Sequence, residues 1–160
     1  MRQRLRQFRD AGRRPAAADF ALAREHLAPP LEALFAAQHP RDICHAAATA
    51  RWLLARGYRD SDLLAAALLH DIGKGEQRRF DRCAYVLASC LRMASRMGAA
   101  ASRFEVRRAI ARSVTHAAAG ANLLAVAGAP ALIIDLTLRH HCAADGDDML
   151  ARLREADAAN

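Results

Sequence analysis

Apolar residues recur along this chain at the spacing of amphipathic helices, and one stretch departs from that spacing. Residues 63–69 are seven consecutive apolar residues. A helix that is apolar on every side is buried on every side, so the stretch predicts a central helix over 62–71. The run leads directly into His70 and Asp71, and Lys74 follows three residues later. The pattern therefore predicts ionisable side chains at the end of the most buried helix.

The same periodicity predicts further helices on both sides, separated by short breaks at glycine and proline. No stretch alternates apolar and polar residues as a half-buried strand does. Alanine and leucine dominate the composition, which also favours helix. The prediction is an all-α, single-domain helical bundle over 16–160, preceded by a basic arm over 1–15. The predicted helices are 16–28, 31–38, 41–56, 62–71, 78–97, 103–118, 119–127, 130–141 and 146–158.

Basic residues outnumber acidic ones, 24 to 17, for a formal net charge of +7. Such an excess can indicate nucleic acid, an anionic membrane surface or a phosphate-bearing ligand. Six arginines lie within the first 14 residues, and without them the excess nearly vanishes. No aromatic residues alternate with the basic ones as a stacking surface for bases needs. A nucleic-acid partner is therefore the weakest of the three interpretations.

The cysteines and the least charged stretch indicate a cytoplasmic protein without a membrane span. The four cysteines show no CxxC spacing, and we expect them to be reduced core residues. The arginine-rich start lacks the apolar core of a secretory signal. Residues 117–134 carry no ionisable side chain and could be mistaken for a membrane span. However, Gly128 and Pro130 predict a helix–turn–helix there. Alanine-rich helix faces are compatible with a homodimer.

A buried Asp71 needs a cation or strong donors, because an unpaired carboxylate in an apolar interior costs several kcal/mol on typical scales, about 3–5. A divalent metal ion is one solution, and the pairing of His with Asp suits first-row metals. A core histidine beside a capping aspartate is the simpler explanation of His70 and Asp71 alone. His45 lies 25 positions upstream of His70, where two antiparallel neighbouring helices would bring them together. Further histidines follow at 116, 140 and 141, and an aspartate at 157.

This arrangement resembles the HD superfamily of metal-dependent phosphohydrolases. HDIGKG, at 70–75, is a characteristic form of that family's core motif, and ARWLLARGYRDSDLLAAALLHDIGKG resembles its central helix pair. The likeness extends over roughly residues 38–158. It implies an all-α fold and the hydrolysis of phosphomonoesters or phosphodiesters, often of nucleotides. The partner that the resemblance implies is accordingly a phosphorylated small molecule, in particular a nucleotide.

The resemblance also implies a ligand set. One divalent ion (Mn, Fe, Ni, Co, Zn or Mg) would be held by His45, His70, Asp71 and Asp157, with Asp71 bridging to a second ion if one binds. Asp135 is the rival for the last position, although an i,i+4 ion pair with Arg139 also accounts for it.

Three further histidines, His116, His140 and His141, resemble the extra ligands of the two-metal members, including the HD-GYP group. HAAAGANLL, from His116, is similar to that group's segment with glycine four residues after the histidine. The GYP signature is absent, so cleavage of cyclic dinucleotides is not assigned. On a helix the adjacent His140 and His141 would point about 100° apart, which predicts that only one of them is a ligand.

Asp71 and Lys74 are the predicted catalytic residues. Lys74 is the only lysine beside 23 arginines, and its ammonium can neutralise a phosphate oxygen. The expected reaction is in-line attack on phosphorus by a metal-activated water. The alternative is a non-catalytic HD-type module that binds a nucleotide or a partner protein. The completeness of the ligand set favours the enzyme.

Overall fold

The computed structural model describes residues 14–75 and 105–160, with 105–114 described by the backbone alone. Within these ranges the chain is helical and contains no β-strand, which confirms the predicted all-α class. The basic arm up to residue 13 and the helix predicted over 78–97 lie outside the described residues. The division into an arm and a domain stays a prediction.

Seven α-helices and one 3₁₀ turn make up the described part of the chain. They are α1 Ala17–His26, α2 Pro29–Ala36, α3 Pro40–Ala55, α4 Ser61–Leu69, the 3₁₀ turn Ile72–Lys74, α5 Glu105–Val126, α6 Ala131–Arg139 and α7 Asp148–Ala159.

Local sequence accounts for where α3 and α4 begin and end. Pro40 is the first residue of α3, where the missing N–H of proline costs nothing. Gly57 follows the end of α3 with φ +87°, a conformation that glycine adopts without strain. Asp60 caps α4, since its side chain accepts hydrogen bonds from the backbone N–H groups of Asp62 at 3.0 Å and Leu63 at 2.9 Å. The boundaries at Pro40 and Gly57 agree with the predicted breaks at proline and glycine.

Helix α4 lies at the centre of the core. Every residue from 63 to 69 is buried, and α4 packs against helices α1, α2, α3, α6 and α7. Leu53 of α3, Leu136 of α6 and Leu153 of α7 are fully buried in the same core. Burial of side chains of this size typically contributes about 1.5–3 kcal/mol each. The prediction of a central, wholly buried helix is confirmed.

Three details of the sequence prediction are wrong. Helix α4 ends at Leu69 rather than at residue 71, because the chain tightens into the 3₁₀ turn there. Helix α5 continues through the break predicted at 118/119, and Gly120 lies inside it. Cys142 is exposed rather than part of the core, because it follows the end of α6.

The uncharged stretch turns back on itself, as predicted. Helix α5 ends at Val126, Gly128 has φ +74°, and α6 begins at Ala131. Among the described residues, no helix combines the length and the apolar character that crossing a membrane requires.

Candidate metal centre

All seven predicted ligands lie around one point in the structure. Helix α3 contributes a residue from its middle, and α5 and α7 contribute one each. The turns that follow α4 and α6 contribute the others. In chain order the seven are His45, His70, Asp71, His116, His140, His141 and Asp157.

One half of the centre is His45, His70 and Asp157, the carboxylate triad. His45 Nε2 lies 2.9 Å from Asp157 Oδ1, and His70 Nε2 lies 3.6 Å from the same oxygen. One ligand atom from each residue falls within 4.8 Å of the other two, an arrangement that can hold a metal ion. Asp135 is not a member of this group, and its carboxylate accepts a hydrogen bond from Arg139 Nε at 2.9 Å. The geometry therefore selects Asp157 over its rival.

The other half is His116, His140 and His141, the histidine triad. His116 Nε2 lies 3.3 Å from His140 Nε2 and 3.0 Å from His141 Nε2. We predicted that only one of the two adjacent histidines is a ligand; in the structure a ring nitrogen of each lies within 3.3 Å of His116 Nε2. Helix α6 ends at Arg139, so the 100° helical spacing does not separate the two rings. The histidine triad also satisfies the geometry for a metal ion.

Asp71 lies between the two triads and turns one oxygen toward each. Its Oδ2 is 3.5 Å from His70 Nε2 and 3.8 Å from His45 Nε2. Its Oδ1 is 3.4 Å from His116 Nε2 and 3.8 Å from His140 Nε2. A carboxylate placed in this way can bridge two cations.

The two most buried rings are oriented by backbone carbonyls at the ends of their helices. His70 Nδ1 lies 3.0 Å from the carbonyl oxygen of Ala67, and His140 Nδ1 lies 2.6 Å from that of Thr137. A carbonyl can only accept, so each Nδ1 carries the proton and donates. Each Nε2 is then a lone pair in the neutral ring, as metal ligation requires. Helix C-termini leave such carbonyls without helical partners.

Two glycines bring α5 close enough for His116 to reach Asp71. A Cβ on Gly73 would lie 2.0 Å from the carbonyl oxygen of His116 and 2.5 Å from the backbone nitrogen of Gly120. A Cβ on Gly120 would lie 3.3 Å from the nitrogen of Gly73. The 3₁₀ turn therefore packs backbone to backbone on α5. This contact explains the glycine four residues after the histidine.

Unpartnered atoms test whether the residues suit a metal. His70 Nε2 and Asp71 Oδ1 are buried and have no hydrogen-bond partner within the described ranges. An unsatisfied buried polar group costs about 1–3 kcal/mol, and more when it is charged. Both atoms point into the cluster, and both are lone-pair donors. A cation at each triad would satisfy them, so the donor set fits a metal centre.

The pKa shifts of the cluster residues differ between the carboxylate triad and the histidine triad. Burial lowers the pKa of His70, but Asp71 and Asp157 outweigh it and the net shift is upward. Burial raises the pKa of Asp71, but the cations His70 and Lys74 hold it well below its usual range. Burial likewise raises the pKa of Asp157, but the hydrogen bond from His45 and the proximity of His70 outweigh burial and lower that pKa. The carboxylates of the cluster are thus ionised.

In the histidine triad the pKa values of two histidines are lowered, whereas that of His70 is raised. Burial, reinforced by nearby His70 and His141, lowers the pKa of His140 to about 3. Burial and His116 lower the pKa of His141. These two imidazoles are neutral at pH 7, the state in which they can bind a metal.

Lys74 completes the predicted residues. Its ammonium forms an ion pair with Asp71 Oδ2, the oxygen that faces the carboxylate triad. His39 is exposed and caps α3 by accepting a hydrogen bond from the Arg41 N–H at 3.3 Å. Sequence reasoning missed the Arg139 link to Asp147, 2.7 Å long, which joins residues eight apart without a recognisable spacing.

No protein-family model, curated protein or solved structure matches this chain. The assignment of chemistry therefore rests on the residues and their geometry.

Proposed function

We propose that this chain is a metal-dependent phosphohydrolase of the HD type. The observation that carries the proposal is the position of Asp71, which turns Oδ2 toward the carboxylate triad and Oδ1 toward the histidine triad. Two ions bridged by one carboxylate would lie close enough to contact one phosphate group together. The resemblance of HDIGKG to the HD motif supports the same reaction class, with a phosphomonoester or phosphodiester, and a nucleotide in particular, as substrate.

The bound ions, Asp71 and Lys74 each have a separate role in the proposed reaction. A bound divalent ion supplies Lewis acidity, polarising phosphate oxygens and lowering the pKa of water to near neutral. Asp71 holds the two ion positions together and keeps the cluster anionic. Lys74 lies one 3₁₀ turn beyond Asp71, and its side chain is 25% exposed, so its ammonium can leave Asp71 to neutralise a phosphate oxygen.

A non-catalytic module that binds a nucleotide or a partner protein is the second candidate. A module of that kind does not require a complete set of metal ligands. Here all seven side chains converge, and two of their buried atoms lack partners among the described residues. Both features favour the enzyme.

Metal content and activity test the proposal together. We expect protein purified without chelator or affinity-tag metal to carry one or two equivalents of a transition metal and to hydrolyse a phosphoester with that ion. Asp71→Ala should lose the metal and the activity, whereas Asp135→Ala, whose carboxylate pairs with Arg139 outside the cluster, should keep both. A wild-type protein that binds no ion after dialysis against Mn²⁺, Fe²⁺, Ni²⁺ and Zn²⁺ would refute the proposal.

A further inference from the structure

A cavity of about 330 Å³ adjoins the metal centre on the side of α2 and α3. Asp71 forms part of its wall, so the cavity extends from the cluster outward. Most of its remaining lining is apolar, including Leu34, Ile72 and Leu123, with His39 and Asp42 as further polar residues. The volume falls within the lower range of small-molecule sites, about 300–1,000 Å³, which typically combine apolar walls with few polar groups.

Gln38 lines the same cavity and has one unsatisfied atom. Its Nε2 donates to the carbonyl oxygen of Leu68 at 3.3 Å. Because that carbonyl can only accept, the amide orientation is assigned: Oε1 is the free end. Oε1 is buried and has no hydrogen-bond partner in the part of the chain that the structure describes. The terminal torsion of glutamine is soft, so the amide can turn this acceptor toward a ligand in the cavity in exchange for the long 3.3 Å bond to Leu68.

From these observations we infer that the cavity binds the leaving group of the substrate, and that Gln38 selects for a flat, uncharged group bearing an N–H or O–H donor. The inference rests on the proposed function, since it seats the phosphate at the adjoining cluster. The apolar walls favour a flat ring over a polyol, and the unpartnered Oε1 favours a ring with a donor. Gln38 is thus a specificity-determining residue.

Binding of three phosphate esters, measured by rapid mixing before appreciable hydrolysis, tests the inference without requiring turnover. The probes are 3-aminophenyl phosphate, phenyl phosphate and glycerol phosphate, titrated into the full-length protein with Mn²⁺. We expect the aminophenyl ester to bind about 3- to 10-fold more tightly than the phenyl ester, the usual effect of one hydrogen bond. Glycerol phosphate should bind most weakly. In Gln38→Leu the preference for the amino group should vanish while glycerol phosphate binds as before.

A second variant fills the cavity without disturbing the core. Leu123 is 44% exposed, so Leu123→Trp should fold, and its larger side chain should weaken both aryl esters about tenfold. Leu132→Trp is the matched control, since Leu132 is 38% exposed on the neighbouring helix and lies outside the cavity lining. It should change none of the affinities.

The outcomes separate the two proposals. If all three esters bind equally and Leu123→Trp changes nothing, the leaving-group site is refuted while phosphate binding stands. If neither the esters nor inorganic phosphate bind to the protein with Mn²⁺, the proposed function fails and the inference fails with it.

Discussion

The two triads of the candidate centre are built differently. The carboxylate triad takes His45, His70 and Asp157 from α3, the end of α4 and α7. The histidine triad takes its three rings from α5 and the turn after α6, with no carboxylate of its own. Carboxylate oxygens suit hard ions such as Mn²⁺ and Mg²⁺, whereas imidazole suits Zn²⁺, Ni²⁺ and Fe²⁺. Asp71 therefore joins the two triads into one candidate site. We expect the carboxylate triad and the histidine triad to prefer different metal ions.

Removing one ligand from each triad should have the largest effect. We expect Asp157→Ala and His116→Ala each to abolish one metal equivalent, weakening the affected half more than about a hundredfold, since even supporting residues are worth 10- to 100-fold. Metal content after dialysis, with calorimetric titration, measures this. Simultaneous loss of both equivalents in each variant would mean that the halves do not bind independently.

The contact between Gly73 and α5 offers a way to disturb the histidine triad alone. Gly73→Ala places a methyl group 2.0 Å from the His116 carbonyl, so the 3₁₀ turn and α5 must separate. Overpacking of this kind typically costs about 1–3 kcal/mol, occasionally more. We expect lower stability together with weakened binding at the histidine triad.

Gly128→Ala is the matched control for that variant. Gly128 has a positive φ of +74°, but no atom lies within 4 Å of the added Cβ. It should therefore lose about 1 kcal/mol from backbone strain and keep its metal affinity. Equal metal loss in both variants would show that global destabilisation, rather than the Gly73 contact, weakens the centre.

Stability of the metal-free protein should depend on pH through both triads, with opposite signs. The raised pKa of His70 gives a stabilising contribution that is complete below its unfolded value near 6.5 and is lost as pH rises through the folded value. The pKa of His140 is lowered to about 3, so the unfolded chain binds the proton first and stability falls as pH drops below 6.5.

Urea unfolding of the metal-free protein between pH 4.5 and 8 measures both slopes. In His140→Gln the free energy of unfolding should depend less on pH on the acid side. In His70→Gln it should depend less on pH on the alkaline side. An acid slope that is unchanged in His140→Gln would contradict the assignment of that slope to the histidine triad.

The smallest effect is expected at the link between α6 and α7. Arg139, next to His140, bonds Asp147 at 2.7 Å, and Asp147 caps α7 by accepting from the Leu150 N–H at 3.0 Å. Arg139→Met should slightly lower the temperature of thermal unfolding, because Asp147 loses the side chain that fixes its position at the start of α7, the helix that carries Asp157. Arg152→Met, which removes an exposed pair with Glu155 and a contact with the Tyr58 ring 5.4 Å away, should lower thermal stability less than Arg139→Met does. Equal effects in both variants would show that Arg139 does not help to position the helix that carries Asp157.

Sequence reasoning anticipated the helices and the membership of the cluster better than its internal arrangement. Helical periodicity and caps such as Asp60 are local, so they predicted α3 and α4 to within about two residues at each end. The continuity of α5 through Gly120 was not predicted, because glycine is ordinarily a helix breaker. The convergence of His140 with His141 depends on where α6 ends, which a periodic pattern does not specify within a residue.

By itself the sequence determined the helical class, the burial of 63–69 and the presence of His70 and Asp71 at the end of that buried helix, because propensity and burial pattern act over a few residues. Only the tertiary structure decided that Asp157 faces His45 across 112 positions of chain, that Asp71 divides its oxygens between two triads, and that a cavity opens beside it. These features depend on how helices pack. Packing is set by contacts between residues far apart in the chain, such as that of Gly73 with Gly120.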